Sequence, residues 1–237
     1  MTTAKKTASN SWDALATQCA KIDGIRILLH GLAGTGKSST APRGSIRTTL
    51  SGSSLPADLI GSIGLKGGDT VSVDGCAAIA FKEGRVLVID EVDHASPEVT
   101  STLHALCDDH KLATLRLPSG EVITPNKGYG VLCTMNGAPQ DLSPAFLDRF
   151  DVIIECVTPS QGALNTLPAH AHAFAVRLYE SKAKARGATA PVELSLRGLQ
   201  RIERLRAAGI AQCDLAQATG LSAADIEAYA TACVVGA

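Results

Sequence analysis

The 237-residue sequence predicts an α/β fold in which a sheet covered by helices is followed by an all-helical segment, on three observations. Short apolar runs of strand length recur before Pro159. Segments with helix signals lie between them, an alternation that implies a sheet with both faces covered. After Pro159 the chain turns Ala-rich and no strand signal remains. The expected organisation is an N-terminal extension over 1–22, a sheet domain over 23–158 and a helical lid over 159–237.

Each element has a local cause. Residues 1–10 are polar, and Trp12 to Ala20 is expected to be a short helix with Trp12, Leu15 and Cys19 on one face. Ile25-Arg-Ile-Leu-Leu-His30 runs into a glycine-rich loop and reads as a buried strand. Ser38 to Ser54 is dense in Ser, Thr and Gly, with Pro42 and Gly44 near its start, so any helix there is short or begins late. Thr70 to Asp74 alternates as a strand, and Arg85-Val-Leu-Val-Ile-Asp90 is the clearest strand of all. Ser96-Pro97-Glu98 is a helix start, after which Val99, Leu103 and Leu106 recur at helical spacing. Ala113 to Ile123 alternates around Pro118-Ser119-Gly120 and predicts a hairpin. Val131–Thr134 and Val152–Val157 are two further strands. In the last third, Pro168 to Arg186 is helix-prone. Ser195 caps a second helix striped by Leu196, Leu199, Ile202 and Leu205, and Ser222 opens a third.

Composition excludes several classes. Lys and Arg total 22 against 23 Asp and Glu, a net charge of -1 spread evenly along the chain, which argues against a nonspecific nucleic-acid partner. Aromatic residues are only 3% of the chain, too few for a stacking platform. Seven cysteines without a CxxC pair fit thiols in a reducing, cytoplasmic compartment. No run of 18 apolar residues exists, so membrane insertion is not expected. The histidines have no metal-ligand spacing, and no zinc or iron site is expected.

The chemistry concentrates in two places. Gly31-Leu32-Ala33-Gly34-Thr35-Gly36-Lys37-Ser38 matches the phosphate-binding pattern of four free positions between glycines followed by Lys and Ser. Glycines let successive backbone N–H groups face one anion. Lys37 would then span the β- and γ-phosphates, and the Ser38 hydroxyl would meet Mg²⁺. Asp90-Glu91, at the tip of the apolar strand, supplies the second half of such a site. Asp90 is placed to hold Mg²⁺ through water, and Glu91 to prepare an attacking water.

Together with Asp58-Leu-Ile-Gly61, Asp74-Gly75, Gly84–Glu91, Thr134-Met-Asn136 and Leu147-Asp-Arg-Phe150, these residues resemble the AAA+ ATPases, specifically the MoxR-type and dynein-related branch. That branch includes activators of carboxylase and nitric-oxide reductase, the gas-vesicle ATPase and the small subunit of cobalt chelatase. The resemblance covers roughly residues 23–210. It implies a P-loop NTPase sheet domain followed by a small helical lid, with ATP and Mg²⁺ as ligands. It also implies a first sensor at Asn136, an arginine finger at Arg149 that reaches a neighbouring subunit, and a second sensor at Arg197 within Ser195-Leu-Arg197. The strands near Thr70–Asp74 and Ala113–Ile123 look like the branch's two inserted hairpins, which face client or pore.

The expected function is Mg²⁺-dependent ATP hydrolysis by a homo-oligomeric ring, a hexamer, that remodels or activates a client protein. A partner carrying a metal-binding adhesion-type domain is a frequent companion in this branch. Two alternatives stand beside it: a nucleotide-binding assembly scaffold with little turnover, and a GTP-driven restriction factor. Only 20 residues separate Lys37 from Asp58, fewer than the family usually has, so the helix after the loop is expected to shrink to about one turn. That shortening is consistent with the scaffold, whereas retention of Asp90, Glu91, Asn136 and Arg149 disfavours it. No Asn-Lys-x-Asp guanine-reading motif is present, since Asn126-Lys127-Gly128-Tyr129 fails at its last position.

Overall fold

The computed structural model describes residues 11–109, 111–185 and 194–235. The expectation for residues 1–10 and the end of the Ala-rich helix at Arg186 lie outside them. Two compact units emerge. Within the described residues the first takes 11–29, Ala41–Met135 and Pro139–Ile154, and the second takes His30–Thr40, Asn136–Ala138 and the chain from Glu155 on.

Helix α1 (Trp12–Cys19) leads into β1 (Arg26–Gly31), and β2 (Ile46–Thr49) follows. Helix α2 (Pro56–Ile60) precedes a hairpin of β3 (Gly61–Lys66) and β4 (Asp69–Asp74). Helix α3 (Cys76–Glu83), β5 (Val86–Asp90) and α4 (Pro97–Leu106) come next, then the strands β6 (Leu115–Arg116), β7 (Val122–Ile123) and β8 (Gly130–Thr134). Helix α5 (Pro144–Leu147) and β9 (Val152–Cys156) complete the sheet. The strand order is β2-β5-β8-β1-β9. β1 pairs with β8, β8 with β5 and β5 with β2, all in parallel. The register sets Leu29 beside Thr134 and Ile89 beside Cys133, so β1, β5 and β8 end at one edge.

Parallel strands bury both faces and therefore read as continuous apolar runs. Leu28, Leu87, Ile89, Val131 and Cys133 point into a core shared with α3 and α4, while Ile27, Leu29, Val88 and Leu132 are equally buried on the other face. Ser96 caps α4 as expected, accepting from the Val99 N–H at 3.3 Å, and Val99, Leu103 and Leu106 are fully buried. The start of the sheet is stapled by Arg26. Its Nε and second terminal nitrogen meet Asp151 Oδ2 and Oδ1 at 2.9 and 2.7 Å, and its backbone N–H donates to Oδ2 at 2.9 Å.

Trp12, Leu15 and Cys19 share a face of α1 as expected from their spacing, but Leu15 on it is exposed and Ala16 is the helix's buried residue. The Ser/Thr-rich stretch contains β2, a strand with no apolar run to announce it. Its Ile46-Arg-Thr-Thr49 has one aliphatic residue and is a strand because it pairs with β5. Helix α3 is likewise not expected from the sequence, because it is apolar nearly all round and so lacks a stripe. The hairpin over Ala113 to Ile123 is present but pairs only two residues a side. The β3–β4 hairpin exposes Ile63 and Leu65.

The second unit contains α6 (Gln161–Leu164), α7 (Ala169–Lys184), α8 (Leu196–Ala207), α9 (Leu215–Thr219) and α10 (Ala223–Val235). Their core gathers Tyr179, Leu199, Ile202, Leu215 and Tyr229, with Leu205 partly buried against it. Ser195 and Ser222 cap as predicted, accepting from the N–H groups of Gly198 and Asp225 at 3.1 Å each. Among the described residues no helix is long and apolar enough to cross a membrane.

Candidate functional site

The loop leaving β1 is built by its glycines and closed by its lysine. Gly34 and Gly36 take φ of +79° and +87°, a left-handed conformation that a β-carbon opposes. Space forbids one as well. A β-carbon on Gly34 would lie 2.7 Å from the Tyr179 hydroxyl, and one on Gly36 would run into Ser160 Oγ and approach Ala163 Cβ to 2.8 Å. Thr35 is fully buried, and its hydroxyl donates to the Leu32 carbonyl at 3.1 Å.

Lys37 is 6% exposed. Its Nζ donates to the carbonyls of Gly31 and Leu32 at 3.1 and 2.9 Å, and to Asn136 Oδ1 at 3.0 Å. An ammonium donates only, and each of these oxygens is an acceptor. The structure thus brings two sequence-predicted residues, Lys37 and Asn136, into direct contact across 99 positions of chain. Lys37, Ser38, Ser39 and Thr40 form a single 3-10 turn, in line with the shortened helix, with Thr40 Oγ1 closing on the Lys37 carbonyl at 2.8 Å.

Asp90 and Glu91 belong to the first unit. Asp90 ends β5, where Thr134 at the end of β8 donates to its Oδ1 at 2.7 Å. Thr134 lies within the quoted Thr-Met-Asn stretch, but its role as the Asp90 holder had no local signal. Glu91 has φ 60° and ψ 47° and is the one non-glycine residue with positive φ among those described. Left-handed geometry costs an ordinary L-residue about 1–2 kcal/mol. A 3-10 turn follows at once and brings His94 Nδ1 to 3.6 Å from Glu91 Oε2.

Arg149, also in the first unit, is half-buried. One terminal nitrogen donates to the Ala145 carbonyl at 2.6 Å, and Nε lies 3.9 Å from Asp108 Oδ1. His104 stacks on Phe146, 5.2 Å between ring centres, and burial, with help from the Arg149 charge, lowers its pKa. Arg197 is exposed at the second position of α8 in the other unit. No group of three or more metal-ligating side chains occurs among the described residues.

A parallel sheet flanked by helices, whose first strand runs into a glycine-rich loop closed by a lysine, defines a P-loop NTPase fold. The AAA domain of the dynein-related subfamily matches residues 26–150. The chain belongs to the AAA+ ATPase family, in its MoxR-type and dynein-related branch. Protein NorQ of Paracoccus denitrificans (strain Pd 1222) is 33% identical over 144 residues, covering 56% of this chain and 53% of that protein. YojN of Bacillus subtilis (strain 168), an uncharacterized protein, is 31% identical over 149 residues, covering 55% and 47%. The chain spans about half the length of these curated relatives.

Proposed function

We propose that this chain is a Mg²⁺-dependent ATPase that works in a ring, a hexamer, to remodel or activate a client protein. The observation that carries the reading is the buried Lys37 ammonium, curled back on Gly31 and Leu32 carbonyls beside Asn136, in a loop whose glycines leave room only for backbone. That donor set fits a polyphosphate: a fixed cation, backbone amides at left-handed glycines and a neutral polar tip.

Gly31, Leu32, Ala33, Gly34, Thr35 and Gly36 would wrap the phosphates, and Lys37 would trade an oxygen partner for them. Ser38 and, through water, Asp90 would hold Mg²⁺, which when bound neutralises phosphate charge. Glu91 takes a proton from, or orients, the attacking water, and its strained backbone supports a role in aiming that carboxylate. Asn136 contacts the γ-phosphate or that water. Arg197 adds charge from the lid, and Arg149 completes the neighbouring subunit's site. In this reading residues 1–22 are an extension, 23–158 the nucleotide-binding domain and 159–237 the lid. The exposed Ile63 and Leu65 of the β3–β4 hairpin suit contact with a client. An adaptor with a metal-binding adhesion-type domain is a fitting companion.

One observation favours the second reading, a scaffold that binds nucleotide and barely turns over: only one 3-10 turn follows the loop. Steady-state hydrolysis across protein concentrations separates the two, read beside assembly state. The ATPase reading predicts turnover that rises with ring formation, and rings without turnover would favour the scaffold. Lys37→Ala is expected to abolish tight binding of a non-hydrolysable ATP analogue in calorimetry. Unchanged affinity in the folded variant would refute the assignment of the loop.

A further inference from the structure

Tyr179 is one of three tyrosines in an aromatic-poor chain, lies on α7, and is 1% exposed. Its hydroxyl donates to the Ala33 carbonyl of the phosphate loop at 2.9 Å. The same oxygen accepts from the Leu196 N–H, the first residue of α8, at 3.3 Å. A phenol has one proton to give and lone pairs to receive, so a single atom serves two elements that lie about 160 residues apart in sequence. Burial pushes the phenol's pKa up, with the Leu196 N–H and the Arg197 charge pulling the other way, so the donating proton is present at neutral pH.

Both bonds have consequences. Leu196 N–H is among the first four donors of α8, which no residue inside the helix can satisfy. Ser195 Oγ takes the Gly198 N–H, and Tyr179 takes that of Leu196. At the other end, a trans peptide points its C=O and N–H in opposite directions, and no peptide bond here is cis. Tying the Ala33 carbonyl to Tyr179 therefore turns the Gly34 N–H the other way. A second tie acts alike, because the Ser160 N–H donates to the Thr35 carbonyl at 2.7 Å and turns the Gly36 N–H. The Ala33 and Thr35 carbonyls are thus held toward the second unit's helices, and the Gly34 and Gly36 amides turn away from them, free to face an anion.

We propose that Tyr179 is a positioning residue that fixes the phosphate loop and the start of α8 as one piece, so that loop amides and Arg197 are set together for one nucleotide. The role rests on the ATPase reading above, whereas the tie itself does not. Tyr179→Phe removes one oxygen and keeps the ring in the core. In nucleotide-free protein, amide hydrogen exchange should quicken at residues 32–36 and at 196–198 together, with α10 unchanged. Faster exchange at only one of the two segments, or at neither, would overturn the tie.

Function is read in a cycle of Tyr179→Phe, Arg197→Ala and the double variant, by analogue affinity and by kcat and KM. Loss of one such bond should weaken analogue binding about 3- to 10-fold. The kcat cost of Tyr179→Phe should shrink once Arg197 is gone, since the two act through one helix start. Tyr179→Trp, which keeps an aromatic ring without a hydroxyl at that position, should not rescue. Wild-type affinity in Tyr179→Phe, or strictly additive losses in the cycle, would overturn the positioning role. A parent chain with no nucleotide affinity would instead refute the ATPase reading, and the exchange result would still decide the tie.

Discussion

Glu91 combines two separable properties, since its side chain is proposed to work on water while its backbone sits in the left-handed region. The two properties separate by substitution. Glu91→Gln keeps size and backbone cost but gives up charge and basicity, so turnover should fall by about 10²-fold or more with nucleotide binding retained. Glu91→Gly loses the same chemistry and relieves the backbone, so it should be as inactive yet more stable by about 1 kcal/mol. Hydrolysis assays and urea denaturation of both variants check this. A Gln variant with parental turnover would move the catalytic role elsewhere, and a Gly variant less stable than its parent would contradict the strain argument.

Elements owe their placement to a few directional contacts on top of apolar burial. Arg26 joins the first residue of β1 to Asp151, just ahead of β9, and its hydrogen bonds hold the Asp151 carboxyl below its ordinary pKa. A depressed carboxyl contributes stability that is complete above its unfolded value and is lost as pH falls through its folded value. Asp151→Asn should therefore cost about 1 kcal/mol or less at pH 7, the pair being partly solvent-screened. The gap between variant and parent should begin to shrink below about pH 4 and close only once pH has passed the lower folded value. Urea titrations at pH 7 and pH 3 test it, and a gap of equal size at both would assign the effect to shape and not charge. The elements that sequence reading found were those with self-contained signals: the apolar run of β5, the Ser96-Pro97 start of α4, the glycines before Lys37. β2 and α3 lacked them. A four-residue strand with one aliphatic side chain exists through its partner β5, and a two-turn helix that is apolar except for Lys82 and Glu83 at its end shows no stripe. The site divided the same way. The loop and Asp90-Glu91 are marked as candidates by motif and strand, and Asn136 by the family resemblance, but Thr134 holding Asp90 and Tyr179 holding Ala33 are contacts across 44 and 146 residues, which no local pattern encodes.

For the whole molecule, family membership and the proposed roles converge on one demand: Lys37 and Arg149 should serve the same nucleotide from different subunits. Alone, Lys37→Ala and Arg149→Ala should each be nearly inactive while still assembling. Mixed in one ring, an intact Lys37 site can sit beside an intact Arg149, and about one quarter of interfaces combine both halves in a random hexamer of equal parts. Arg149 now rests on the Ala145 carbonyl near Asp108, contacts that a neighbour's phosphates would replace. The most direct measurement is ATPase rate against mixing ratio, with mixed rings verified by native mass spectrometry. Recovered turnover that peaks at intermediate ratios is the predicted result. Near-zero rates at every ratio in verified mixed rings, or full activity of Arg149→Ala alone, would contradict a ring ATPase with sites completed between subunits.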